Sequence, residues 1–246
     1  MKIVYRKGPL RFCEVWFNTL PPQQAWQAHA GQADVLLFHE SRVAVSERST
    51  PFRNGVLALD QEPDTLFGAL NSGFRNEVRR AQKEGVAVST CAPVAAIDRV
   101  YPAYAQFCQS KQIAALSPAL LGHYARAGRL FLSQASIGGA PLQAHLYVAG
   151  AEEAILLASF PLPSDAPRKL VGWANRALHW ADMQAFREHG LLRYNLGGMG
   201  NPVTEQTRPI VAFKNEMNPV EVMYYQDVAP VSRLGRCYFL LKMFFR

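Results

Sequence analysis

No Cys-x-x-Cys pair occurs in this chain, and its four cysteines (Cys13, Cys91, Cys108 and Cys237) have no spacing suited to zinc. The six histidines form neither HExxH nor HxxxH, so no metal is expected. So sparse a set of cysteines argues against a disulfide framework and fits a reducing compartment. No apolar run approaches the ~20 residues of a membrane-spanning helix. The first residues, Met1 to Gly8, lack the apolar stretch of a signal peptide, and a cytoplasmic location is expected. Internal repeats, low-complexity segments and linkers are missing too. With 18% charged and 49% hydrophobic residues, the composition is globular and argues against a disordered tail protein.

What is present is a basic surplus on a chain long enough for one good core or two small ones. The formal charge over 246 residues is +7. That balance suits an anionic partner, such as a nucleotide, a coenzyme diphosphate, an anionic membrane or an RNA; a merely basic surface is the alternative.

Residues 1–61 read as short strands at Leu10–Phe17, Val35–His39, Val43–Glu47 and Val56–Leu59, with Pro21-Pro22 as a break. From Pro63, the apolar residues Leu66, Leu70, Phe74, Val78 and Ala81 recur at helical spacing. Gly68 and Gly73 divide that stretch into two helices, Gly85 stops it, and Val86–Ser89 reads as a strand. A helix follows over Ile97–Cys108, and another opens at Ser117-Pro118 and ends at Gly128. Three strands come next, Leu130–Ile137, Leu142–Val148 and Ala154–Phe160, joined by hairpin-length turns. A helix over Gly172–His189 carries an alanine stripe and leads to a strand at Leu192–Leu196. Ile210–Lys214 and Val220–Gln226 read as two last strands. The order from residue 130 is a meander, a crossover helix and a parallel strand. The fold class is therefore α+β.

The junction between Phe160 and the crossover helix offers an anion site. Unsatisfied amides at a helix start, a glycine for close approach, and Arg168 and Lys169 for charge would cradle a phosphate. An ordinary loop entering a helix is the competing reading.

Lys169–Ala174 resembles the Gln/Arg-x-x-Gly-x-Gly/Ala signature of the GNAT acyltransferases, with lysine in the first position. The resemblance implies a mixed central sheet flanked by helices, with acyl-CoA as co-substrate in a splay between two parallel strands. It assigns Arg168, Lys169, Gly172, Trp173 and Ala174 to the diphosphate, and Ala158, Ser159 and Phe160 to the thioester carbonyl and its oxyanion.

A broader resemblance is to the Fem-like peptidoglycan bridge-forming transferases. Phe74–Val86 is similar to their Asn/Arg-rich helix ending in K-x-G-V, Arg193–Gly198 to their Y-D-L-G-G strand, and Val211–Lys214 to their F-K element. This chain is shorter than those enzymes, so a reduced N-terminal GNAT-like lobe is expected, and Asn195 stands in place of the aspartate. The expected division is residues 1–94, a catalytic domain at 95–230, and a basic and aromatic segment at 231–246. Bridge-forming relatives take aminoacyl-tRNA as donor. This chain has no coiled coil or long basic arm to grip tRNA, and the phosphate-loop resemblance favours acyl-CoA.

The resemblance places Lys214 at the reaction cleft, where a cation would stabilise developing charge; a surface lysine is the bland alternative. His145 and Tyr147 share a strand face with Gln143. His145 is a candidate acceptor for the amine proton, and Tyr147 a candidate wall of the acceptor pocket. Tyr194 is a candidate acid for the leaving group, with Asn195 beside it. Arg75 and Arg79, with Lys83, form a basic stripe that would hold a nucleotide-linked acceptor. Packing or solvation is the alternative for each. The C-terminal segment Arg233–Arg246 would touch an anionic membrane, pack on the core or bind another subunit. Together these features point to N-acyl transfer from acyl-CoA to an amine, such as an amino sugar or another carrier-linked envelope precursor. Aminoacyl-tRNA-dependent transfer and a non-catalytic binding module are the rivals.

Overall fold

The computed structural model describes residues 1–90, 94–200, 204–205 and 207–244. Cys91, Phe245 and Arg246 lie outside the described residues, as do the side chains of Leu241, Met243 and Phe244. By contacts the chain divides into residues 1–54 with 221–246, and residues 55–220. These boundaries differ from the expected ones at 94 and 230: the helices after Pro63 pack with the later residues, and the chain's end returns to its beginning.

The first unit opens with β1 (Lys2–Lys7), β2 (Leu10–Trp16), α1 (Pro22–His29) and β3 (Val35–Ser41), and β4 (Thr50–Ala58) then leads out of it. β1 and β2 pair antiparallel, and β2 and β3 parallel. Their inward residues Cys13, Val15, Leu36 and Phe38 bury a small core with Ala25 of α1.

The second unit follows as α2 (Pro63–Ala69), α3 (Ser72–Lys83), β5 (Val86–Ser89), α4 (Val94–Ser110) and α5 (Pro118–Arg126). Then come β6 (Leu130–Ile137), β7 (Ala140–Ala149), β8 (Glu153–Pro161), α6 (Arg168–Glu188), β9 (Arg193–Gly198) and α7 (Arg208–Asn215). The chain returns to the first unit through β10 (Val220–Pro230), antiparallel to β3, and α8 (Arg233–Phe244).

In the second unit's mixed sheet the order is β4-β9-β8-β7-β6-β5. The meander β6–β7–β8 is antiparallel, and α6 carries the chain back so that β9 runs parallel to β8. The expected crossover is thus present. α3 is capped by Asn71, whose side chain accepts from the Gly73 amide at 2.7 Å, and it buries Phe74, Val78 and Ala81 on one face. α6 is the buried helix of the unit. Ala174 and Leu178 pack with Ala135 and Leu142 of the sheet, while Met183 and Phe186 join Tyr147 and Tyr194 in the main core.

Four local expectations are corrected. Ile210–Lys214 is helix, because Pro209 fits the first turn and Ile210, Phe213 and Met217 recur at helical spacing. Pro21-Pro22 starts α1, with Pro21 as N-cap and Pro22 first in the helix. Val43–Glu47 forms no strand, whereas Lys2–Lys7 forms one. α6 begins at Arg168, four residues before Gly172.

Candidate functional site

β8 and β9 pair through Glu153–Arg193, Ala154–Tyr194 and Ile155–Asn195, and then part. The cause lies in β9. Asn195, fully buried, donates from Nδ2 to Glu153 at 2.7 Å, and its Oδ1 accepts the Gly197 amide at 2.8 Å. Gly197 takes φ +73°, a left-handed turn that suits glycine, and the strand swings away. A cleft of about 700 Å³ opens where the strands separate. Leu156–Ser159 of β8 form one wall, and Leu196–Gly198 of β9 with Phe213 and Lys214 of α7 form another. Phe107 and Lys111 come from α4 and the turn after it; Asn175 and His179 come from α6.

Behind the cleft lies a buried polar chain. The Asp182 Oδ2 accepts from the Tyr147 hydroxyl at 2.6 Å and pairs with His145 Nδ1 at 2.8 Å. The Tyr147 and Tyr194 hydroxyls are 2.6 Å apart, and the Tyr194 hydroxyl is 2.6 Å from His179 Nδ1. His145 Nε2 stands 2.7 Å from Asn175 Oδ1, which also accepts from Ser159 Oγ at 3.1 Å. The chain thus leaves the cleft at His179, runs through the core and returns at Asn175. Among the described residues, His179 Nε2 has no hydrogen-bond partner although it is buried.

Burial holds the His179 imidazole well below its ordinary pKa, and the positive field of His145, Arg176 and Lys214 adds to this. Burial likewise pulls Lys214 down to about 8. The Lys214 ammonium donates to the Gly198 carbonyl at 2.6 Å, which fixes it over the diverging strand. Tyr147 and Tyr194 are pushed well above the phenol range by burial, with the Asp182 carboxylate adding to it.

Arg176 holds α7 in place. It pairs with Glu216 through 2.7 and 3.0 Å contacts, reaches Glu77 of α3 at 3.0 Å, and lies 5.0 Å from the Phe213 ring centre.

Of the residues singled out in the sequence, Lys214, Ala158 and Ser159 line the cleft. His145, Tyr147 and Tyr194 stand behind it, fully buried, with both ring nitrogens of His145 occupied. Asn195 shapes the turn of β9 rather than the cleft wall. Phe160 turns the other way, 5.6 Å from the Tyr104 ring.

Arg168, Lys169, Gly172, Trp173 and Ala174 do not line the cleft. Lys169 lies over the Trp173 ring, Ala174 is packed against the sheet, and Gly172 sits inside the helix. The Leu170 and Val171 amides already donate to the Pro167 carbonyl. Arg75 donates to the carbonyls of Gly68 and Leu70 at the end of α2, and Arg79 lies over Phe67, so neither reaches the cleft. His179 and Asp182 were not singled out. Their signal was two polar residues one turn apart, at i and i+3, on the crossover helix. No group of three or more His, Cys, Asp or Glu side chains among the described residues is placed to hold a metal.

A search of solved structures finds likenesses over nearly the whole chain. FemX superposes with a TM-score of 0.65 at 11% identity, covering 98% of this chain and 85% of that one. L-PGS from Bacillus licheniformis superposes at 0.55 and 12% identity, covering 94% of this chain and 81% of that one. The chain has a FemX-like fold, a mixed sheet flanked by helices. No family model matches the sequence, and no curated protein matches it. At such identities the likeness speaks for the fold and not for the reaction. No helix among the described residues is long and apolar enough to cross a membrane.

Proposed function

We propose that the chain is an N-acyltransferase that moves an acyl or aminoacyl group from an activated ester onto an amine in the cleft between β8 and β9. The observation that carries this reading is the bare, buried Nε2 of His179 at the cleft, beside a fixed lysine. An imidazole held neutral can accept a proton from an amine as its nitrogen attacks the carbonyl carbon. The new C–N bond forms, charge gathers on the carbonyl oxygen, and the Lys214 ammonium stabilises it. The tetrahedral species then collapses, the bond to the carrier breaks, and the imidazolium returns its proton to the leaving oxygen. No covalent acyl-enzyme is required. Tyr194 acts by holding His179, and His145 by closing the far end of the buried chain.

Aminoacyl-tRNA is the better supported donor. The helix start expected to cradle a coenzyme diphosphate has its Leu170 and Val171 amides bound to the Pro167 carbonyl, and its glycine lies outside the cleft. The Fem-like fold and the charge of +7 both suit an RNA-linked ester. Acyl-CoA remains the second reading, favoured by Arg168 and Lys169 at the first turn of α6. The acceptor class is a carrier-linked amine of envelope assembly, on the strength of the Fem-like resemblance.

Calorimetry with total aminoacyl-tRNA, acetyl-CoA and a long-chain acyl-CoA tests the donor. Salt-sensitive binding of aminoacyl-tRNA is expected. Binding of acyl-CoA alone would replace the donor, and binding of neither would overturn the transferase reading.

A further inference from the structure

We infer that Asp182 is a positioning residue: through Tyr147 and Tyr194 it locks His179 in the tautomer whose Nε2 is bare at the cleft. The inference rests on the reading of His179 as the base, but the tautomer can be observed whether or not transfer is detected.

Proton counting along the chain gives the direction. A carboxylate can only accept, so the single Tyr147 hydroxyl proton goes to Asp182 Oδ2. Having given that proton, Tyr147 can only accept from its other neighbours, His145 Nδ1 at 3.0 Å and the Tyr194 hydroxyl, so the Tyr194 hydroxyl donates to it across 2.6 Å. Tyr194 is then an acceptor towards the imidazole, and the remaining proton lies on His179 Nδ1. In a neutral ring, Nε2 is left with a lone pair. One buried carboxylate therefore decides, two phenols away, which ring nitrogen of His179 carries the proton. This is the ordering role of the third member of a nucleophile–base–orienter set, spread over a longer chain.

Every group around the ring is consistent with that state. From α6 come Asp182 and Arg176; from β7, Tyr147 and His145, the latter with its ring centre 4.3 Å away; from β9, Tyr194; from α7, Lys214 and Phe213. The nearby cations oppose a second proton on the ring, so a neutral ring with a fixed tautomer is the favoured form.

The reversal is also predictable. In Asp182→Asn an amide replaces the carboxylate, and its two orientations differ. The Oδ1 position has no partner among the described residues, so turning the amide nitrogen there would strand two donors. The nitrogen therefore faces Tyr147 and His145. Tyr147, now accepting, donates to Tyr194, Tyr194 donates to His179 Nδ1, and the ring proton moves to Nε2. Tyr147→Phe gives the same result by another route, because Tyr194 then has only His179 Nδ1 left to donate to.

The experiment is long-range ¹H–¹⁵N correlation on the full chain labelled at histidine, with His179→Gln to assign the ring. The wild-type ring should be neutral and protonated at Nδ1 from about pH 6 to 8, the range in which an ordinary histidine titrates. Asp182→Asn and Tyr147→Phe should both show the Nε2-protonated form. If transfer is being measured, kcat should fall in step by about 10²–10⁴ with little change in KM. A wild-type ring protonated at Nε2, or Nδ1 protonation that persists in the folded variants, overturns the inference. Should Asp182→Asn not fold, Tyr147→Phe decides alone, and its hydroxyl deletion leaves the ring packing against Phe186 in place.

Discussion

The ring nitrogen Nδ1 of His179 and the Tyr194 hydroxyl lie 2.6 Å apart, fully buried, and this contact occupies one ring nitrogen while Nε2 is left without a partner among the described residues. It joins the crossover helix to the parallel strand, whose divergence from β8 makes the cleft. The same side chains that pack the core therefore set the chemistry at its edge.

Replacing His179 with glutamine removes the base while keeping a polar side chain of similar size. The expected loss in kcat is about 10²–10⁴-fold, with donor affinity unchanged. Calorimetry with the donor and a single-turnover assay separate the two effects. Equal loss of binding and turnover would point to a packing role instead.

The pH profile should be a plateau bounded on the alkaline side. His179 is held well below its ordinary value, so it is already a competent base at neutral pH and places no limb there. Lys214 loses its charge near pH 8, and the stabilising cation is lost as pH rises through that value. Rate should fall above about pH 8, and Lys214→Arg, whose charge persists, should carry the plateau to higher pH. A profile unchanged in Lys214→Arg would remove Lys214 from the reaction.

Gly197→Ala places a side chain on a backbone with φ +73°, and its Cβ would meet the Leu156 carbonyl at 3.6 Å and Lys214 Nζ at 3.9 Å. The left-handed backbone alone costs about 1–2 kcal/mol, to be read from urea unfolding. Activity should fall further than stability does, because the methyl group enters the cleft.

Arg176→Ala would free α7, since Glu216 and Glu77 lose their shared partner. The expected cost is about 1.5–3 kcal/mol, as for hydrogen bonds to charged groups. Lys214 should lose its fixed position with it, so activity should drop even in protein that remains folded by circular dichroism. Full activity would show that α7 is held by other contacts.

Much of this is legible in the sequence. Alternation on β7 put His145 and Tyr147 on one face, and both are indeed in the buried chain behind the cleft. The meander, the crossover and the parallel strand followed from run lengths and turn residues. Gly172 reads as the end of a loop, yet a single glycine is tolerated inside a helix, and α6 starts four residues earlier, with Pro167 as its N-cap. His179 and Asp182 were hidden by the alanine stripe. That stripe suggests the side of α6 against the sheet, but Ala181 and Ala185 are only half-buried, and it is Asp182 and His179 that face β7 and β9. The β-branched pair Ile210-Val211 reads as strand, while Pro209 in the first turn of α7 is the better guide.

The most direct test of the central claim is to add an aminoacyl-adenosine fragment, as a minimal donor, to the histidine-labelled chain and follow the ring signals. A donor seated between β8 and β9 should shift His179 strongly and leave the exposed His189 unchanged. Saturating fragment that leaves His179 unmoved, with acetyl-CoA equally silent, would contradict acyl transfer in this cleft.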